Sequence, residues 1–161
     1  MRTLILYYSR TGNTRRVAEI LAGRLAATPA EITCRAYGGG LGALRQAFGV
    51  LLGSSPRIEL TAVAAEDWDL VVLGGPVWGA RPAPPVRSYL QRYAAHHRRL
   101  ALFVTCKGTS PTYPPERAMA EMTALAPSGV AATHIFSEAQ IAGSGLAAQV
   151  DDFLHTIGAT G

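Results

Sequence analysis

Thr3-Leu4-Ile5-Leu6-Tyr7-Tyr8-Ser9-Arg10-Thr11-Gly12-Asn13-Thr14 is the stretch on which the fold turns. Thr3 to Tyr8 is a short run of β-favouring apolar and aromatic residues. Ser9 to Thr14 then crowds hydroxyls, a glycine and an asparagine into one turn. Beyond it, from Asn13 to Ala27, the apolar residues Val17, Ile20, Leu21 and Leu25 recur at helical spacing. A strand that breaks at a polar turn and enters a helix is the opening unit of a chain built from alternating strands and helices.

Working outward, the unit repeats. Glu31 to Ala36 reads as a second strand, and Asp69 to Leu73 as a third that stops at Gly74-Gly75-Pro76. Pro84-Pro85 opens a helix with Val86, Tyr89, Leu90 and Tyr93 on one face, a position where proline is tolerated. Leu100 to Thr105 is a fourth strand. Pro114-Pro115-Glu116 starts a helix carrying Met119, Met122 and Leu125, and Ala131 to Phe136 is a fifth strand. Leu146, Val150, Phe153, Leu154 and Ile157 stripe the last helix. Continuous apolar strands separated by helices imply one parallel sheet covered on both faces, a single α/β domain over residues 1–161. Ligands of such sheets sit beyond the carboxyl ends of the strands, where strand order reverses.

One segment departs from the alternation. Gly38-Gly39-Gly40 and Gly53-Ser54-Ser55-Pro56 bracket Leu41 to Leu52, where Leu41, Leu44, Ala47, Phe48, Leu51 and Leu52 share a helical face. It reads either as a crossover helix covering the sheet or as an apolar lid or partner surface weakened by Gly42 and Gly49.

Composition narrows the function classes. Apolar residues make up 48% of the chain and charged residues 16%, which excludes a disordered or low-complexity chain. Cys34 and Cys106 lie far apart, so neither a disulfide framework nor a cysteine zinc site is expected. His96, His97, His134 and His155 share no metal-ligand spacing, and no serine nucleophile elbow is present, so no catalytic or metal residue is assigned. With no leader pattern and no apolar run of about 18 residues, a soluble cytoplasmic protein with no membrane span is expected. The net charge is +4, and every basic residue except Lys107 is an arginine. These arginines are dispersed without aromatic interleaving, so nucleic acid is not an expected partner.

Three loops carry the chemistry. In Ser9-Arg10-Thr11-Gly12-Asn13-Thr14, hydroxyls and the free N–H groups of a helix start make an anion site suited to a phosphate monoester. The bland alternative is helix capping by Asn13 or Thr14. The absence of a Gly-Lys-Ser/Thr or Gly-x-Gly-x-x-Gly pattern disfavours ATP and dinucleotides. Pro76-Val77-Trp78-Gly79 places a tryptophan in a Gly- and Pro-rich turn, where it either stacks on a planar ring or folds back over the sheet edge. Thr105-Cys106-Lys107-Gly108 leads to Tyr113, which either faces Trp78 or packs on the following helix. Cys106 is either a small strand-end residue or a group that tunes a redox ligand.

Together these loops resemble the flavodoxin family over essentially the whole chain. The resemblance implies the doubly wound, five-stranded parallel sheet of order 2-1-3-4-5 with helices on both faces, and tightly bound FMN. By similarity, Ser9, Arg10, Thr11, Gly12, Asn13 and Thr14 would hold phosphate and ribityl groups, and Trp78 would flank the flavin ring. Gly79 would turn its carbonyl toward flavin N5, the Thr105-to-Tyr113 segment would close the side of the ring opposite Trp78, and the backbone of Thr105, Cys106, Lys107 and Gly108 would meet the pyrimidine end. The implied function is electron transfer between a reductase and a partner protein. The alternatives are an FMN-dependent NAD(P)H oxidoreductase acting on quinones or similar acceptors, and a flavin-free interaction module.

Carrier flavodoxins are generally acidic, whereas here the ligand loops carry Arg10, Arg15, Arg16, Arg81, Arg87 and Lys107. Read as a basic rim, these residues suit an acidic-faced redox partner or the phosphates of NAD(P)H, and would make a bound flavin less strongly reducing. Read blandly, they are solvated surface.

Overall fold

The strand expected from Thr3 forms at Thr3–Tyr7 (β1), buried throughout, and feeds a helix at Asn13–Leu25 (α1). The computed structural model, which describes residues 1–38, 41–61 and 67–158, continues with β2 (Thr28–Glu31), α2 (Gly42–Leu51) and β3 (Leu70–Trp78). β4 (Arg81–Pro82), α3 (Pro84–Tyr93), β5 (Leu100–Cys106) and α4 (Pro115–Ala124) follow. β6 (Ala132–Ser137), α5 (Glu138–Ala142) and α6 (Leu146–Ile157) complete the chain, and short 3-10 turns lie at Arg35–Tyr37 and Ala94–His96.

The sheet order is β2-β1-β3-β5-β6, all parallel, with the two-residue β4 pairing antiparallel to β3. With that small hairpin arm set aside, the order is the expected 2-1-3-4-5. Alternate residues of each strand face opposite layers, as the pleat requires. Leu4, Leu6, Val71, Leu73, Leu102 and Val104 pack with Val86, Tyr89 and Leu90 of α3 and with Met119 and Met122 of α4. Ile5, Tyr7, Val72 and Phe103 pack on the other face with Val17 and Leu21 of α1 and Val150, Phe153 and Leu154 of α6.

Two expectations need correction, and one element goes beyond them. The second strand lies at Thr28–Glu31 and not at Glu31–Ala36. Its Pro29 pairs opposite Ile5, which an edge strand accommodates because its outer side needs no donor. Ile32 still donates to Tyr7 O, but Thr33 turns away to an antiparallel bridge with Glu59. The third strand does not stop at Gly74; it runs through Gly75 and Pro76 to Trp78. Those glycines make room for neighbours: a Cβ on Gly74 would lie 1.9 Å from Phe103 Cζ, and one on Gly75 would lie 2.3 Å from Val86 Cγ2. Finally, α5 has no counterpart in the sequence reading, although Ser137 and Gln140 form a capping box that is readable as Ser-x-x-Gln.

α2 occupies the bracketed segment, of which Gly39 and Gly40 lie outside the described residues. It packs against the Arg35–Tyr37 turn and α3. Leu41, Phe48 and Leu52 are 65%, 55% and 77% exposed, so these members of the apolar face do not cover the sheet.

Away from the strand ends, the fully buried Tyr89 shares a 2.7 Å hydrogen bond with His97 Nε2, and the two rings stack. Burial, aided by His96, lowers the His97 pKa, and burial among Phe136 and Phe153 lowers that of His134. A histidine held below its unfolded value of 6.5 favours the unfolded state on protonation. The stability these groups contribute is therefore complete above about pH 6.5 and lost as pH falls through the folded values. The urea midpoint should fall between about pH 7 and 5.5, and the slope should flatten in a His97→Gln/His134→Gln protein. An unchanged slope in that variant would assign the acid sensitivity to other groups.

Candidate functional site at the carboxyl ends of the central strands

β1, β3 and β5 are neighbours in the sheet, so the loops leaving their carboxyl ends form one continuous rim. The first loop is shaped by Gly12, which sits at the N-cap of α1 with φ +95°, a left-handed conformation suited to glycine. No side chain caps α1 from that position. The capping account of Asn13 and Thr14 therefore does not hold. Asn13 Nδ2 donates to Glu138 Oε1 at 3.3 Å, and buried Thr14 Oγ1 lies 2.8 Å from Thr105 Oγ1. That hydroxyl pair ties the first loop to the third.

The α1 start has the donor set of an anion site. Its first backbone N–H groups have no partner within the helix, and the positive end of the helix dipole points at them. Ser9 Oγ accepts from Arg15 N at 3.3 Å, which leaves its own O–H to donate outward. Arg10 and Thr11 are exposed beside it, and open space surrounds Gly12 where a Cβ would project.

The second loop is a two-residue hairpin. Trp78 pairs with Arg81 and Val77 with Pro82 across Gly79 and Ala80, whose φ values of 56° and 61° are both left-handed. Two such residues define the turn whose twist matches paired strands. Glycine takes this conformation freely, whereas the buried Ala80 takes it at a cost of about 1 kcal/mol. Trp78 is half-buried against the apolar core, edge-on to Tyr8 at 5.8 Å and to Tyr37 at 6.4 Å. Tyr8 and Tyr37 were not among the sequence candidates, though Tyr8 directly precedes Ser9 and Tyr37 opens the glycine run.

The third loop leaves β5 at Cys106. Burial raises the Cys106 thiol pKa and so disfavours the thiolate. Lys107, Gly108 and Thr109 are exposed and line a hollow of about 400 Å³ with Glu116, Ser137 and Gln140. Tyr113 is 59% exposed, and no ring contact joins it to Trp78 among the described residues.

The basic rim is smaller than the sequence implies. Arg15 pairs with Glu31 at 2.8 Å. Arg81 and Arg87 both pair with Glu121 of α4 at 3.2 Å, and they reach Val50 O and Gly53 O at the end of α2. These two arginines hold elements together, and Glu121, remote in sequence, gave no signal of its role.

No protein-family model and no curated protein matches the chain. Solved structures do. A Lactobacillus acidophilus flavoprotein, crystallised in complex with FMN, is 22% identical over 87% of this chain and 95% of its own, with a TM-score of 0.69. A candidate flavoprotein from Bacteroides eggerthii is 16% identical over 98% of each chain, with a TM-score of 0.76. Oxidised flavodoxin 2 from Bacillus cereus is 15% identical over 98% of each chain, with a TM-score of 0.60. Among the described residues no helix is long and apolar enough to cross a membrane, and no cluster of His, Cys, Asp or Glu could hold a metal ion. Sheet order, the layers on both faces and full-length structural likeness agree: the chain has the flavodoxin-like fold.

Proposed function

We propose that the chain binds FMN non-covalently at this rim and carries electrons between a reductase and a partner protein. The observation that carries the reading is the convergence of three loops on adjacent strands, with the left-handed Gly12 turn at the α1 start and Trp78 one strand away. The donor set fits the cofactor's phosphate: the hydroxyls of Ser9 and Thr11 and the uncommitted N–H groups of α1 suit a dianion. Trp78 supplies an apolar wall for a planar ring, and the left-handed Gly79 leaves its peptide unhindered. Thr105 to Gly108, fixed to α1 through Thr14, would border the far end. When bound, FMN supplies the one- and two-electron chemistry, and the protein's part is to bind, orient and tune it.

The test is an anaerobic spectrum of the FMN-loaded protein mixed with NADPH and then NADH. The carrier reading expects no bleaching by either nucleotide and reduction by dithionite in two separable one-electron stages. Rapid bleaching would make the protein an NAD(P)H oxidoreductase acting on quinones or similar acceptors. Failure to take up FMN at all would leave a flavin-free interaction module.

A further inference from the structure

α2 is held in place by polar contacts to its carboxyl end while Leu41, Phe48 and Leu52 face outward. Arg87 Nη1 donates to Gly53 O at 2.7 Å, Arg81 Nη1 to Val50 O at 3.4 Å, and Arg92 to Pro56 O at 3.3 Å. Cations at a helix carboxyl end are favoured by its exposed carbonyls. Glu121 neutralises part of the Arg81–Arg87 pair from α4. These contacts set α2 against the Trp78 hairpin: Val50 Cγ1 would lie 3.8 Å from a Cβ on Gly79, and Tyr37 bridges the turn before α2 to Trp78.

On the outer side, Leu41, Arg45, Phe48 and Leu52 follow one another at helical spacing, and all four are exposed. Three large apolar side chains around an arginine are a composition typical of protein interfaces, where aromatic residues and arginine are enriched. The segment that carries them is basic. Between Glu31 and Glu59 the chain has no Asp or Glu but carries Arg35, Arg45 and Arg57. Arg35 is paired with Glu59, whereas Arg45, within the stripe, and Arg57, beyond its carboxyl end, are exposed.

We propose that this stripe of α2 is the docking surface for the redox partner, a protein whose contact face has an apolar centre rimmed by Asp and Glu. The proposal rests on the electron-transfer reading and adds where the partner sits and which charge it bears. Docking there brings the partner against the Trp78–Gly79 hairpin, so contact and electron exchange share one edge of the sheet.

The test uses a plant-type [2Fe–2S] ferredoxin, an acidic protein, as the probe and cytochrome c, a basic one, as its counterpart. In the ferredoxin reaction the reduced cluster gives up one electron and FMN gains one. The expected ferredoxin rate constant falls about tenfold or more between low and high salt. Arg45→Glu and Phe48→Ser each slow it about fivefold or more, and Arg45→Glu leaves cytochrome c unslowed. Unchanged ferredoxin rates in both variants, or a preference for cytochrome c, would overturn the proposal. Sedimentation with phosphatidylserine vesicles lost in Phe48→Ser would assign the stripe to a membrane surface, and a dimer lost in Phe48→Ser would assign it to a second copy. Either result also overturns it. Calorimetric titration of the same ferredoxin into the purified chain keeps the two readings apart. Binding sensitive to both substitutions in a chain that takes no FMN would uphold the docking surface and remove the flavin.

Discussion

Gly74→Ala should destabilise the protein by about 3 kcal/mol, a large share of the 5–15 kcal/mol typical of a folded domain. Gly74 pairs in register with Phe103 on the adjacent strand, and the Phe103 ring lies over the glycine. The added Cβ would sit 1.9, 2.2 and 2.4 Å from three ring carbons of a side chain that is fully buried. The ring cannot step aside, because Phe136 packs edge-on against it at 6.0 Å and the α1 and α6 layer closes the space above. Urea unfolding should show the midpoint dropping sharply. Adding Phe103→Leu to Gly74→Ala should recover part of the loss, since the two changes share one contact and cannot be additive. A Gly74→Ala protein with an unshifted midpoint would show that the sheet can open around this pair.

The second large effect concerns ligand discrimination. Replacing Ser9 and Thr11 together by Ala should weaken FMN about a hundredfold while changing riboflavin by less than about threefold. Hydrogen bonds from neutral donors to an ionised phosphate contribute about 1.5–3 kcal/mol each, and riboflavin has no phosphate to receive them. Ser9 and Thr11 are the informative positions because the structure commits the neighbouring side chains elsewhere. Asn13 is bonded to Glu138, and Thr14 is buried against Thr105, so alanine there would disturb loop packing as well as ligand. Ser9 also accepts from Arg15 N, so far-ultraviolet circular dichroism should accompany the titration to show α1 intact. Fluorescence quenching of each flavin on binding provides the affinities. Equal losses for both ligands would place the ribityl chain or ring at this loop in place of the phosphate.

What could be read from the chain, and what could not, follows from where the information resides. The β1–α1 turn was legible because both halves of its signal are local: an apolar strand, then a cluster of hydroxyls around a glycine. α3 and α4 were legible through prolines at their first turns. β2 was misplaced because local preference favours Ile32, Thr33 and Cys34 over Thr28 and Pro29, while pairing with β1 selects the latter. Gly74 and Gly75 look like a stop signal to any local rule. Only the neighbouring strand and helix show them as clearances for Phe103 and Val86. The same holds for charge. Arg81 and Arg87 count as rim cations until Glu121, far along the chain, is found between them.

The way α2 is attached has an energetic consequence. β1, β3 and β5 are sealed between two apolar layers, and exposing their backbone requires the whole domain to come apart. α2 turns Leu41, Phe48 and Leu52 to water, and guanidinium-to-carbonyl bonds hold its end. Such bonds have water as a ready substitute, so opening of this helix is expected to cost less than opening of the sheet. Hydrogen exchange is therefore expected to be faster across α2 than across β1, β3 and β5, which would divide the molecule into a rigid platform bearing the three loops and a more readily opened helix along its rim.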